Sequence, residues 1–396
     1  MKISARARGT GASPTLAISA RAKELAAAGE KVIDFSLGEP DFPTPPHIAE
    51  AGIRAIREGR TRYTAASGIP ELKAAICGKL KAENGLSYKP SQVLVSTGAK
   101  FALYAVIQAM IDPGDEVVVP APYWVSYPPQ VELAGGRAVC PFAGAERGFK
   151  LTPDVLSEVV TKRTRALVLN SPCNPTGAVY SRAEVEAIAE VVRRHDIAVI
   201  SDEVYEPFLY DGNRPVSPAA LSADMYARTV TVNGHSKAYS MTGWRIGYAA
   251  GDEKLIAAAG NIQSQSTSNP CTPSQYAALE ALRGDQSCVG RMRDEFQRRR
   301  DHIVKALNAI KGVRCDPPGG AFYVFPDVSG LIGAKVAGQK VPDSAALAKL
   351  CIEEAKVALV PGEAFGAPGY LRLSYATDMD SIREGVCRLA KLFGGE

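Results

Sequence analysis

The sequence predicts an α/β fold: a mostly parallel sheet with helices on both faces, followed by a smaller α/β domain. Three observations support this prediction. From about residue 91, short apolar, β-branched runs alternate with helical patterns, which is typical of parallel sheets. The chain has 396 residues, too many for one small core, and two domains are expected. After residue 310 the pattern changes to short strands and two helices, which indicates the smaller domain.

The predicted elements follow one another without an internal repeat. Up to residue 46 the chain is irregular around one helical pattern, and a proline-rich turn there contains Gly38, which either brings backbone amides close to a ligand or only forms a turn. Ser181 and Glu184 form a capping box that indicates a helix start. Predicted strands are 92–96, 116–120, 165–170, 198–201, 229–232, 246–250, 321–325 and 370–375. Predicted helices are 16–29, 47–58, 101–111, 181–195, 289–310, 344–354 and 380–393.

Composition excludes several classes of function. Charged residues make up 22% of the chain, and the net charge of +4 is spread without a long basic block, so nucleic acid is not expected as a partner. The arginine-rich face of helix 289–310 is expected to meet solvent or another subunit. The eight cysteines include no Cys-x-x-Cys pair, which indicates neither a metal site nor a disulfide framework. With no signal-peptide pattern and no apolar run near the roughly 20 residues that span a membrane, we expect a soluble cytoplasmic protein.

Residues 232–248 contain the main candidate for covalent chemistry. Two short predicted strands enclose a loop that carries one lysine, Lys237, and one arginine, Arg245. Small residues surround the lysine, so a large planar ligand could approach the backbone. In a low-dielectric pocket the charged form of a lysine is disfavoured, and the neutral amine can attack a carbonyl. A surface lysine is the ordinary alternative at a single position.

Polar residues follow the predicted strands at their carboxyl ends, where ligands bind in parallel sheets. If the lysine held an aromatic aldehyde, a carboxylate beside the pyridine nitrogen would keep that nitrogen protonated, and Asp202 ends a strand in the right layer. Asn174 and Tyr205 could donate hydrogen bonds to the ring oxygen. A phosphate could be held by the backbone amides and the cations of Gly98, Ala99, Lys100 and Arg245. Trp124 could provide an aromatic surface for the face of the ring. Taken singly, Asp202 could cap a helix, Trp124 could be a core residue and Asn174 a turn residue.

Five segments together form a distinctive set: Pro120-Ala-Pro-Tyr-Trp-Val-Ser-Tyr127, Asn174-Pro-Thr-Gly177, Ser201-Asp-Glu-Val-Tyr205, Asn233-Gly-His-Ser-Lys-Ala-Tyr-Ser-Met-Thr-Gly-Trp-Arg-Ile-Gly-Tyr248 and Tyr370-Leu-Arg-Leu-Ser-Tyr-Ala-Thr377. They resemble the motifs of pyridoxal-phosphate-dependent aminotransferases of fold type I, class I and II. The segments occur in the family's order, and the resemblance covers nearly the whole chain. Within the family the chain resembles the bacterial and plastid aspartate aminotransferases of the 1-beta type, a subgroup that also includes prephenate aminotransferases.

The resemblance implies a seven-stranded, mostly parallel sheet and a bound pyridoxal 5′-phosphate. It also implies a division of the chain into three parts. Residues 1–46 would form an N-terminal segment that contributes to the small domain and the substrate site. Residues 47–290 would form the large cofactor-binding domain, and residues 291–396 the small C-terminal domain.

The resemblance assigns roles at the cofactor. Lys237 would attach the cofactor aldehyde and later shuttle a proton, Asp202 would pair with the pyridine nitrogen, and Tyr205 with Asn174 would bind the ring oxygen. Trp124 would stack on the ring. Gly98, Ala99, Lys100 and Arg245 would hold the phosphate. Tyr63 would reach the phosphate of a neighbouring subunit, which implies a homodimer with shared active sites.

The resemblance also assigns roles at the substrate. Arg372 would bind the α-carboxylate with two parallel hydrogen bonds, helped by Asn174, Trp124 and the backbone of Gly38. Lys100, with a hydroxyl from Ser13 or Thr15, would bind the distal carboxylate of a dicarboxylic acid. Lys100 could therefore serve the phosphate, the substrate or both.

The choice of substrate depends on the segment before Thr15. Subgroup members that accept prephenate usually carry Lys-Pro-Ser there, whereas this chain has Gly11 in place of the lysine. The loss of that cation favours aspartate with 2-oxoglutarate over prephenate. Two alternatives stay open: an aminotransferase or lyase of the same fold with other substrates, and a non-enzymatic ligand-binding module.

Overall fold

A computed structural model describes residues 1–11 and 14–394 of the chain. The strands, numbered along the chain, are β1 (Ile33–Asp34), β2 (Val93–Ser96), β3 (Glu116–Val118), β4 (Arg137–Val139), β5 (Thr164–Asn170), β6 (Ala198–Asp202), β7 (Thr229–Gly234), β8 (Gly247–Ala250), β9 (Tyr323–Val324), β10 (Lys335–Val336), β11 (Gln339–Lys340), β12 (Val357–Ala358), β13 (Val360–Pro361) and β14 (Leu371–Ser374). The helices are α1 (Ala5–Gly9), α2 (Pro14–Ala27), α3 (Pro46–Arg57), α4 (Pro70–Asn84), α5 (Ala99–Met110), α6 (Tyr127–Leu133), α7 (Pro153–Val159), α8 (Arg182–Arg194), α9 (Ala223–Arg228), α10 (His235–Ala238), α11 (Glu253–Ser266), α12 (Thr272–Arg283), α13 (Ser287–Asn308), α14 (Ser344–Glu353) and α15 (Met379–Leu392).

The central sheet has seven strands in the order β2-β8-β7-β6-β5-β3-β4. All neighbouring pairs are parallel except those made by β8, which runs antiparallel to both β2 and β7. The connection from β7 to β8 holds only the one-turn helix α10 and a loop, and the chain turns back along β7. The predicted mostly parallel, seven-stranded sheet is therefore confirmed.

Helices cover both faces of this sheet, as predicted. Alternate residues of β5 point to opposite faces, which is the period of two expected of a strand. Ala166 and Val168 pack with α5 and α11, whereas Leu167 and Leu169 pack with α7 and α8. Each fully buried leucine stabilises the fold by about 1.5–3 kcal/mol, so the two apolar layers hold the strand ends in fixed positions.

The last part of the chain forms a second core. Strands β13, β14 and β9 make an antiparallel sheet, and β1 pairs with β12 in parallel. The N-terminal strand therefore joins the C-terminal part of the chain, and Ile33 and Phe35 share a core with α13 and α15.

The expectation that the arginines of α13 face solvent or another subunit is wrong for two of them. Arg299 and Arg300 are only 5% and 3% exposed. Arg299 forms an ion pair with Asp41 at 2.7 Å and stacks on Phe296, and Arg300 forms one with Asp211 at 2.7 Å. Each buried guanidinium is paired, so its desolvation is offset. In the part of the chain that the structure describes, no helix is long and apolar enough to cross a membrane.

Candidate active site

A cleft of about 340 Å³ opens at the carboxyl ends of the central strands. This volume lies within the usual range for small-molecule sites. The register of the sheet explains the position, because Asn170 and Asp202, the last residues of β5 and β6, lie side by side. Eleven of the residues predicted for the site line the cleft: Thr15, Gly38, Ala99, Lys100, Trp124, Asn174, Asp202, Tyr205, Lys237, Arg245 and Arg372.

Lys237 lies on the short helix α10, not on an irregular loop, and its amine points into the cleft. The Nζ atom donates a hydrogen bond to the carbonyl oxygen of Gly38. Burial lowers the pKa of Lys237 to about 8; the charges of Arg245 and Arg372 act in the same direction, while Glu39 opposes them. At pH 7 roughly one amine in ten is then neutral, a far larger fraction than for an ordinary lysine. In its neutral form such an amine is chemically able to attack a carbonyl group or to accept a proton.

Asp202 lies at the end of β6 and is 4% exposed. Its Oδ2 accepts a hydrogen bond from the Tyr127 hydroxyl at 2.7 Å, and its Oδ1 accepts one from the Val204 amide at 3.2 Å. Burial raises the pKa of Asp202, whereas these hydrogen bonds and the charge of Lys237 lower it. Tyr127 thus supports the ionised carboxylate. It stands in the motif 120–127 but was not among the predicted site residues.

The predicted phosphate residues form a narrow cradle. Gly98 has a φ of 79° and caps the N-terminus of α5. This backbone conformation favours glycine, and a Cβ atom here would lie 2.4 Å from Nη2 of Arg245, so the arginine head would have to shift. The Lys100 ammonium lies 5.0 Å from the centre of the Trp124 ring. Although Lys100 as a whole is exposed, partial burial of its amine and then the charge of Arg245 lower its pKa.

Arg372 is the buried cation of the cleft, at 3% exposure. Its Nη1 donates to Oδ1 of Asn174 at 3.1 Å, and its Nη2 donates to the carbonyl oxygen of Ser36 at 2.6 Å. Among the described residues its buried Nε has no hydrogen-bond partner. An unpaired donor on a buried guanidinium is costly. The N–H groups that remain, on Nε and on both Nη atoms, therefore suit an anionic group that enters the cleft.

Tyr205 is buried under Lys237, and its hydroxyl lies 2.7 Å from the hydroxyl of Tyr323. Tyr323 lines the cleft from β9, and its ring lies 4.7 Å from the Arg372 guanidinium. Sequence reasoning missed this tyrosine because strand 321–325 has the pattern of an ordinary buried strand.

Three predicted residues stand apart. Gly98 does not itself line the cleft but directly precedes the lining residue Ala99. Tyr63 is 90% exposed and does not line the cleft of its own chain, so its predicted role requires a second subunit. Ser13 lies outside the described residues, while Thr15 on α2 lines the cleft.

Comparisons with known proteins agree with this geometry. Residues 30–389 match the family described as aminotransferase class I and II. The chain is 54% identical to the aspartate/prephenate aminotransferase of Cereibacter sphaeroides, covering 97% of this chain and 96% of the relative. It is 47% identical to the aspartate aminotransferase of Bacillus subtilis, covering 99% and 98%.

Solved structures give the same result. The aspartate aminotransferase from Rhizobium meliloti has a TM-score of 0.96 at 44% identity, with 99% of each chain covered. The aspartate aminotransferase from Thermus thermophilus with maleate has a TM-score of 0.93 at 43% identity, covering 99% of this chain and 100% of that one. These full-length matches show that the chain, whose cleft combines a lysine of lowered pKa with a buried aspartate and a buried arginine, belongs to the class I and II aminotransferases.

Proposed function

We propose that the protein transfers the amino group of L-aspartate to 2-oxoglutarate, giving oxaloacetate and L-glutamate, by a ping-pong mechanism with pyridoxal 5′-phosphate. The observation that carries the proposal is the shared cleft of Lys237 and Arg372, in which an amine with a pKa lowered to about 8 and a buried guanidinium line one cavity. The names of the relatives support the same reaction. The Thermus neighbour was solved with maleate, a dicarboxylic acid, which supports a dicarboxylic substrate.

The residues present fit pyridoxal phosphate. The Gly98 cradle, which a Cβ atom would fill, and the N-terminus of α5 suit the phosphate, together with Lys100 and Arg245. The buried Asp202 carboxylate suits a protonated ring nitrogen. When bound, the cofactor supplies an aldehyde for a primary amine and an electron-withdrawing ring for the substrate Cα.

The chain's own residues would then have distinct tasks. Asp202 would hold a proton at the ring nitrogen, and Tyr205 with Asn174 would donate to the ring oxygen. Lys237 would attach the cofactor, and its neutral Nζ would later take a proton from the substrate Cα and return it. Trp124 would cover the ring and exclude water.

Substrate binding would use both ends of the cleft. Arg372, with Asn174, Trp124 and the backbone of Gly38, would fix the α-carboxylate. Lys100 would hold the distal carboxylate, helped by a hydroxyl of Thr15 or Ser13. Both cations are then matched by the two negative charges of aspartate or 2-oxoglutarate.

Prephenate is the second candidate substrate. The relative from Cereibacter sphaeroides, named an aspartate/prephenate aminotransferase, favours it. Gly11, where a lysine usually stands in prephenate-accepting members, argues against it. The second, bulkier carboxylate of prephenate would therefore be bound by one cation fewer.

We further propose a cytoplasmic homodimer in which Tyr63 of one subunit contributes to the phosphate site of the other. The 90% exposure of Tyr63 supports a contact with a second subunit. The eight free cysteine thiols support a reducing compartment such as the cytoplasm. We also propose domain boundaries near residues 47 and 291. All seven strands of the central sheet lie within residues 93–250, which supports a large domain between the two boundaries. The pairing of β1 with β12 supports an N-terminal segment that belongs with the small domain.

A half-reaction screen tests the proposed function. The purified holoenzyme is mixed with aspartate, glutamate, tyrosine, alanine or arogenate, without an oxo acid, and its visible absorbance is followed. We expect aspartate and glutamate to bleach the absorbance fastest. Faster bleaching by arogenate, with rapid turnover of prephenate, would instead assign the prephenate reaction. A colourless protein that is indifferent to all five compounds would indicate a non-enzymatic binding module.

Replacement of Tyr127 by phenylalanine tests the hydrogen bond to Asp202. A hydrogen bond to a charged group contributes about 1.5–3 kcal/mol, so we expect kcat/KM to fall roughly 10- to 100-fold. Without the donor, the pKa of Asp202 rises further, so the loss should be largest at acidic pH. Tyr180→Phe is the control, because it removes a buried hydroxyl that binds the Leu151 amide away from the cleft. Equal profiles for the two variants would contradict the role of Tyr127.

A further inference from the structure

The hydroxyl of Tyr323 lies where three predicted site residues meet. It is 2.7 Å from the Tyr205 hydroxyl, in a contact in which either oxygen can donate. A Cβ atom on Gly38 would lie 2.7 Å from the same hydroxyl, so the glycine leaves room for it. The Arg372 guanidinium packs against the tyrosine ring. Tyr323 is fully buried, and these contacts fix both its ring and its oxygen.

A phenol hydroxyl has one proton, so Tyr205 and Tyr323 can each donate only one hydrogen bond through their side chains. If Tyr205 donates to Tyr323, its proton is not available to another oxygen in the cleft. If Tyr323 donates instead, the Tyr205 oxygen accepts and its own O–H is free. Burial raises the pKa of both phenols, so both hydroxyls keep their protons at neutral pH. The donor direction within the pair therefore decides which groups Tyr205 can bind.

We propose that Tyr323 is a positioning residue: it donates its hydroxyl proton to Tyr205, so that Tyr205 can donate to the ring oxygen of the bound cofactor. This inference rests on the proposed function. The result is a chain of two hydrogen bonds, from Tyr323 to Tyr205 and from Tyr205 to the cofactor. Hydrogen bonds in such a chain polarise one another and become stronger in a low dielectric.

These two linked hydrogen bonds have a spectroscopic consequence. With pyridoxal phosphate bound, a better stabilised ring oxygen would carry more of the negative charge, so the Lys237 nitrogen attached to the cofactor would bind a proton less tightly. The pH midpoint of the change in visible absorbance then lies lower than it would without Tyr323. This midpoint does not depend on turnover.

The test compares this midpoint in the unchanged holoenzyme, in the Tyr323→Phe, Tyr205→Phe and double variants, and in one control variant. We expect Tyr323→Phe to raise it by about 0.5 pH unit or more, the size that one lost hydrogen bond gives. Tyr205→Phe should raise it further, and the double variant should match Tyr205→Phe, because Tyr323 acts only through Tyr205. Tyr375→Phe is the matched control: it is equally buried in the same part of the chain, and its hydroxyl donates to the Ala321 carbonyl at 3.2 Å. Its midpoint should equal that of the unchanged protein.

An unchanged midpoint in Tyr323→Phe, or a shift that adds to that of Tyr205→Phe in the double variant, would overturn the proposal. If Tyr323→Phe does not fold, Gly38→Ala serves instead. Its added methyl would displace the Tyr323 hydroxyl, and an upward shift is again expected. An unchanged protein that takes up pyridoxal phosphate without any pH-dependent visible absorbance would refute the proposed function itself. The two failures are therefore distinguishable.

Discussion

Lys237→Ala is expected to reduce turnover of aspartate with 2-oxoglutarate by about 10⁴-fold or more. In the proposed reaction the variant would lose both the amine that attaches the cofactor and the group that moves the proton at the substrate Cα. General acid–base catalysis alone contributes about 10²–10⁴-fold. Initial rates in a coupled assay for oxaloacetate, at saturating pyridoxal phosphate, measure the loss. Lys254→Ala, on the exposed surface of α11, is the control and should keep full activity.

The pH dependence of cofactor attachment gives a second measurement on the same residue. Because the pKa of Lys237 is lowered to about 8, the neutral fraction of its amine increases as the pH rises through 8. Attachment of pyridoxal phosphate to the apoprotein should therefore accelerate between pH 7 and pH 9 and change little above pH 9. In the turnover assay, substantial activity of Lys237→Ala would contradict the proposed role of Lys237 in attaching the cofactor and moving the proton.

Arg372→Lys is expected to lower kcat/KM for aspartate by about 30- to 4000-fold, which corresponds to about 2–5 kcal/mol for disrupting a buried, hydrogen-bonded charge pair. Lysine keeps the charge but lacks the planar guanidinium that donates to Asn174 and Ser36. It would also lack the further N–H groups that the proposed function assigns to the substrate carboxylate. Steady-state kinetics with aspartate and with 2-oxoglutarate, varied separately, provide the measurement.

Because both substrates carry an α-carboxylate, Arg372→Lys should weaken both half-reactions by similar factors. Arg388→Lys on α15 is the matched control. Arg388 is also hydrogen-bonded to a backbone carbonyl, that of Lys31, but it lies outside the cleft. A loss of kcat/KM for only one of the two substrates would contradict the assignment of Arg372 to the α-carboxylate.

Local pattern predicted most of the sheet. The strands that end in Asn170 and Asp202 are short apolar runs, and the parallel register then places both ends at one edge. The antiparallel direction of β8 was not predicted, because no local signal records the direction of a strand. Helix α4 was missed as well, since its apolar positions are separated by lysines and a glycine in a weak pattern.

Contacts between distant parts of the chain could not be predicted from local pattern. Tyr127 reaches Asp202, and Tyr205 reaches Tyr323, 118 residues further on. Such contacts depend on how the two parts of the chain pack together, which periodicity and turn chemistry do not encode. The family motifs indicated the residues that would touch cofactor and substrate, but not the neighbours that orient them.

The pairing of β1 with β12 has a consequence for biosynthesis. Residues 33 and 34 leave the ribosome early, but their partners are residues 357 and 358. The seven-stranded sheet can assemble from residues 93–250 while the last part of the chain is still being translated. The segment that carries Ser36 and Gly38 therefore waits until residues 357 and 358 have been translated, and Arg372 acquires its backbone partner Ser36 only in a late stage of folding.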